Sequence, residues 1–106
     1  MTGSLVIVMT TFDDPEVAAR VASELVEAGL VACAQVETSP VRSTWRWEGK
    51  VESGDEWRMM LKLPPHSLDA LRERLLVLHP YETPEFIALE GSASEAYARW
   101  ARESCS

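Results

Sequence analysis

Basic side chains are scarce in this chain. Only 10 Lys and Arg stand against 17 Asp and Glu, for a net charge of −7. A nucleic-acid backbone or an anionic membrane is held by clustered Lys and Arg, so neither partner is expected. Long hydrophobic runs are missing as well. The longest, Leu5–Met9, is strand-sized and far short of the ~20 residues of a membrane-spanning helix. Cysteine is limited to Cys33 and Cys105, which belong to no CxxC or Cys/His framework. The first residues, Met1-Thr2-Gly3-Ser4, carry no basic leader, so a cytoplasmic chain with reduced thiols is expected. Five glycines form no phosphate-cradling loop, and no serine sits in a GxSxG elbow. Catalysis by a recognisable nucleophile is therefore not expected. What remains is an acidic chain of 106 residues, 46% apolar, long enough for one domain over 1–106.

The apolar pattern orders the elements. Leu5-Val6-Ile7-Val8-Met9 reads as a strand buried on both faces, followed by a polar break from Thr10 to Asp14. Asp14 before Pro15 is a helix start, Val17, Val21, Leu25 and Val26 give a helical stripe, and Ala28-Gly29 closes it. A strand pattern then puts Val31, Cys33, Gln35 and Glu37 on one face and Ala32, Ala34 and Val36 on the other, until Pro40 interrupts it. Ser43, Trp45 and Trp47 share a face at period two. The chain turns at Glu48-Gly49, with Ser53-Gly54 as the other candidate. The return strand sends Glu56, Arg58, Met60 and Lys62 to one side and Trp57, Met59, Leu61 and Leu63 to the other. A second helix starts at Pro64-Pro65, carries Leu68, Leu71, Leu75 and Leu78, and stops at His79-Pro80. Phe86–Leu89 is a last short strand, and Ser94-Glu95 opens a terminal helix. This order predicts an α+β fold, a ferredoxin-like βαββαβ sandwich with a long central hairpin and a C-terminal helix. A hairpin longer than its own sheet calls for another chain to cover it.

Few residues have the chemistry of a site. His79, beside Pro80 and Tyr81, is either a histidine ending a helix or a metal ligand, because imidazole suits copper, zinc and nickel. Cys33, in Val31-Ala32-Cys33-Ala34, has the setting of a small buried hydrophobe. Glu56 and Lys62 share a strand face but lie about 20 Å apart at strand rise, so joint action needs a neighbouring strand or subunit. Glu82 and Glu85 flank Thr83-Pro84, as a cation or acid–base pair or simply as a charged loop. Trp45 and Trp47 fit an intersubunit surface better than ligand stacking.

Four segments together resemble the CutA family of divalent-cation tolerance proteins. Ser43-Thr44-Trp45-Arg46-Trp47-Glu48-Gly49-Lys50 is similar to the family's S-x-Y-x-W-x-G-K segment. Glu56 and Leu61-Lys62 resemble its E-x5-K strand. His79-Pro80-Tyr81-Glu82-Thr83-Pro84-Glu85 resembles its H-P-Y-x-x-P-E loop, and Leu30-Val31-Ala32-Cys33 its L-A-A-C stretch. Trp45 replaces a usual Tyr, and Leu63 a usual Thr. The resemblance implies a PII-like homotrimer whose hairpins pair across subunits. It implies an intersubunit cleft lined by Ser43, Trp45, Trp47, Glu56, Lys62, Tyr81 and Glu85. It also implies binding of copper or another divalent cation, with His79 and Cys33 at positions implicated in relatives, and no obligatory cofactor. The expected function is metal tolerance without catalysis. The alternative is a PII-like sensor that takes a small anionic metabolite on Lys62, with His79 and Ser43 as hydrogen-bonding groups.

Overall fold

The computed structural model describes residues 1–106 and places nine elements in order: β1 (Thr2–Phe12), α1 (Pro15–Glu27), β2 (Cys33–Val36), β3 (Val41–Trp47), β4 (Lys50–Leu63), a 3-10 turn (Pro65–Ser67), α2 (Leu68–Leu78), β5 (Ile87–Ser94) and α3 (Glu95–Ser104). The antiparallel sheet has the order β2-β4-β1-β5, and β3 pairs with the outer part of β4. β2 and β3 are thus two successive neighbours of one 14-residue strand, β4, separated at the Pro40 break. This is the ferredoxin-like arrangement that the element order predicts.

Local chemistry sets the boundaries. Asp14 caps α1, its carboxylate accepting from the Glu16 N–H at 2.9 Å, with Pro15 in the first turn. The helix ends where Gly29 takes φ +69°, letting its N–H reach Val26 O and the Leu30 N–H reach Leu25 O. Both bonds satisfy orphan carbonyls in the Schellman manner. The hairpin turns at Glu48 (φ +50°) and Gly49 (φ +78°), a pair of left-handed residues that matches the strand twist; Ser53-Gly54 stays inside β4.

Two strands run past their expected ends. β1 continues through Thr10-Thr11-Phe12, where Thr10 pairs with Met59 and Phe12 with Trp57, so the polar break begins only at Asp13. β5 starts at Ile87 and extends to Ser94, because Glu90–Ser94 pair with Thr2–Val6. α2 proper begins at Leu68, after a 3-10 turn over Pro65–Ser67.

Strand alternation divides the sheet into a covered and an open face. Val6, Val8 and Phe12 of β1 and Met59, Leu61 and Leu63 of β4 pack with Val21, Leu25, Leu71 and Leu75 of α1 and α2 into the core. Thr10 belongs to the same face, fully buried, and its hydroxyl has no hydrogen-bond partner. The opposite face keeps Met60, Ile87 and Leu89 exposed. α3 covers only its end, at Leu5 and beside Gly3.

Candidate functional site

Register alone lays out the open face as rows across the strands. Cys33, Lys62, Ile7 and Leu89 form one row, and Gln35, Met60, Met9 and Ile87 the next. Then comes Thr11 beside Arg58, with Glu37 clamping the Arg58 guanidinium at 3.0 and 3.1 Å. Val41 beside Glu56 begins the hairpin, followed by Ser43 beside Gly54. A cleft of about 750 Å³ opens over the middle of this surface, with Met9, Thr11, Ser43, Glu56, Met60 and Glu85 among its walls.

The polar end of the cleft is built from three chain segments. His79 follows the last turn of α2, its N–H still bonded to Leu75 O at 2.9 Å. The residue is 94% buried, and its ring stacks on Phe12 with centroids 4.2 Å apart. Nε2 donates to the carbonyl of Thr11 at 2.8 Å, and Nδ1 accepts from the Tyr81 N–H at 3.1 Å. A carbonyl can only accept and an amide N–H can only donate, so these partners fix the neutral tautomer with its proton on Nε2. Burial pulls His79 below the ordinary histidine value, against the Thr11 carbonyl and the charges of Asp13 and Glu56, which favour protonation.

His79 in turn orients the loop that carries Tyr81. The phenol donates to Glu56 Oε2 at 2.8 Å, and its ring stands edge-on to His79 at 4.7 Å. Burial raises the Tyr81 pKa far above its usual range, helped by the Glu56 hydrogen bond, so the phenol stays a donor. Burial pushes the Glu56 carboxyl up, but the Ser43, Tyr81 and Thr11 hydroxyls outweigh it and hold Glu56 below the ordinary carboxylate value. Glu85 has no such donors. Burial and the Glu56 charge raise it, so two carboxyls on one cleft are driven in opposite directions.

Glu56, Tyr81, His79, Ser43 and Glu85 therefore gather as the motifs suggest. Trp45 and Trp47 share their face farther along the hairpin, at the Glu52 and Lys50 positions. The Trp45 indole lies against Gly54, where a side chain would meet it at 3.4 Å. Lys62 and Cys33 are Cα partners on the same face, but Lys62 is about 20 Å of strand from Glu56. Within one chain no three His, Cys, Asp or Glu side chains converge as a metal-binding set; His79 sits against Thr11, whereas Cys33 pairs with Lys62 beside Ile7, farther back along β1. Sequence reasoning missed Thr11, Phe12 and Asp13, which lie past the assumed end of β1. It also passed over Met9, which only strand register reveals as the partner of Met60.

Comparison with known proteins decides the family. The description "CutA1 divalent ion tolerance protein" matches residues 6–104. The chain belongs to the CutA1 family. The Divalent-cation tolerance protein CutA of Thermus thermophilus is 36% identical over 98 residues, covering 92% of this chain and 94% of the relative. CutA from Synechococcus elongatus has the same fold at TM-score 0.90 and 34% identity, over 100% of this chain and 96% of that one. A CutA from Archaeoglobus fulgidus, described as a periplasmic divalent cation tolerance protein, matches at TM-score 0.88 and 28% identity, over 94% and 97% of the two chains. The residues that this CutA1 chain brings to the polar end of its cleft are those of the Glu56 strand and the His79–Glu85 loop.

Proposed function

We propose that the protein is a cytoplasmic homotrimer that binds divalent cations, copper foremost, without a covalent step. The observation that carries this reading is the division of the site along β4. Glu56, Tyr81 and His79 lie at one end, Cys33 and Lys62 at the other, and neither end is a complete ligand set within the chain. A second subunit laid on the exposed Met60, Ile87 and Leu89 would bury apolar surface. Free thiols at Cys33 and Cys105 accord with a reducing compartment.

His79 is the principal copper donor in this reading. Its Nδ1 carries the lone pair and holds only the Tyr81 N–H at 3.1 Å, so ligation costs a single neutral hydrogen bond, about 1 kcal/mol. The neighbouring Glu56 carboxylate supplies negative charge to the bound dication. Cys33 is a second, separate soft donor. The rival reading, an anionic metabolite held by Lys62, has less support, because Lys62 is remote from Ser43 and His79 within the chain and the cleft carries Glu56 and Glu85.

Light scattering should return three times the 11.8 kDa chain mass. Calorimetry with copper(II) should show saturable binding that His79→Ala weakens at least about tenfold while the assembly mass stays the same. Copper binding unchanged in that variant removes His79 from the site.

A further inference from the structure

We propose that Tyr81 is a gate on His79: its loop swings away before Nδ1 takes a ligand, so occupancy of the ring releases the loop from the hairpin. This rests on the reading of His79 as the copper donor and adds what occupancy does to the rest of the chain.

The imidazole has one lone pair to offer. Nε2 carries the proton and spends it on the Thr11 carbonyl at 2.8 Å. Nδ1 already accepts the Tyr81 N–H at 3.1 Å, and a single ring lone pair serves one partner at a time. The way in is closed too. Phe12 stacks on one face of the ring at 4.2 Å, and the Tyr81 ring stands edge-on at 4.7 Å. The Tyr81 amide lies along the lone pair itself, so this segment moves before Nδ1 binds anything else.

The loop is fastened in a way that lets it go as a unit. Residues 80–85 make no backbone–backbone hydrogen bond. At the near end the His79 N–H still belongs to α2 through Leu75 O. At the far end Phe86 packs on the core with the Arg72 guanidinium over its ring. Between these anchors Tyr81 holds the chain, through its amide to His79 and its phenol to Glu56 Oε2 at 2.8 Å. Displacing the amide moves the Cα that carries the ring and draws the phenol off Glu56. Glu56 then loses one of its three hydroxyl donors. Glu85, at the end of the same loop, lines the cleft, so a change at one buried nitrogen reaches the cleft rim.

Linkage gives the sign. A bond broken on binding opposes binding, and the two effects are equal in size. The Tyr81–Glu56 bond therefore lowers the affinity of His79 for copper, by about fivefold for a hydrogen bond of ordinary strength.

The test joins copper(II) calorimetry on the purified protein to amide hydrogen exchange read by mass spectrometry, with and without saturating copper(II). In the wild type, exchange at residues 81–86 should quicken at least about tenfold with copper. In His79→Ala it should be fast and indifferent to copper. Tyr81→Phe keeps the amide and the ring but not the phenol, and should bind copper(II) about fivefold more tightly than the wild type. A phenol that only supports the fold would leave the affinity equal or lower it. Copper binding that needs His79 while the loop stays protected, or while Tyr81→Phe binds no tighter, overturns the gate and leaves the His79 site standing. A wild type that takes up no copper(II), or no more than His79→Ala, overturns both.

Discussion

The Tyr81 phenol and the Glu56 carboxylate meet at 2.8 Å although 25 positions of sequence separate them. The bond ties the loop after α2 to the base of the projecting hairpin. Together with the Ser43 and Thr11 hydroxyls it holds Glu56 below the ordinary carboxylate value, against the burial that opposes ionisation.

Removing that donor should move the Glu56 titration upward. In Tyr81→Phe the burial that opposes ionisation remains while one of three hydroxyl donors is gone. The carboxyl carbon of Glu56, followed by NMR across acid pH, should titrate at a higher pH than in the wild type. Urea denaturation should show a loss of about 1 kcal/mol, the usual worth of such a bond at a partly exposed site. An unmoved Glu56 titration would mean that Ser43 and Thr11 suffice.

His79 makes metal-free stability depend on pH. Its folded pKa lies below the ordinary 6.5 of the unfolded chain, so between those two values the unfolded state binds more protons. Stability therefore falls as pH drops through about 6.5 and levels off below the folded pKa. Asp13 and Glu56, the charged groups facing the ring, reduce this slope without reversing it. His79→Gln should flatten the melting-temperature profile around pH 6, and an equal slope in both proteins would assign it to other groups.

Thr10 carries a buried hydroxyl with no partner. Valine has the same shape without the stranded polar atom, so Thr10→Val should stabilise the fold by about 1 kcal/mol. A lower denaturation midpoint in the variant would show that the hydroxyl has a partner in solution.

Leu89 is 51% exposed on the open face. If subunits cover that face, Leu89→Glu buries a charge at the seam, which costs several kcal/mol. Light scattering should then report a lower mass at the same protein concentration, with helix content by circular dichroism unchanged. A variant of undiminished mass would put the interface elsewhere.

Much of this was legible in the residues. The alternation of Glu56, Arg58, Met60 and Lys62 with Trp57, Met59, Leu61 and Leu63 identifies both faces of β4, because period two leaves a core strand no other choice. Asp14-Pro15 and Ala28-Gly29 bracket α1 through capping chemistry. The ends of β1 and β5 were not legible. Thr10 and Thr11 look like a polar break until Met59 and Arg58 pair with them, and Glu90-Gly91-Ser92 is a strand only because β1 lies alongside. Local pattern cannot report such tertiary pairing. The His79 ring is a similar case. Its position after a helix suggested a cap or a ligand, and only the fold reveals that both nitrogens are engaged by Thr11 and Tyr81.

Glu56, Arg58, Met60 and Lys62 all hang from one continuous strand, β4. A slip of a single residue in its pairing would turn every one of them inward and bring Trp57, Met59 and Leu61 out. The two ends of the face are therefore inherited as one object, like teeth on a single key. Substitutions in the Pro40 bend or the hairpin turn that alter register should disturb the Glu56 end and the Lys62 end together, whereas those that change one side chain disturb only one.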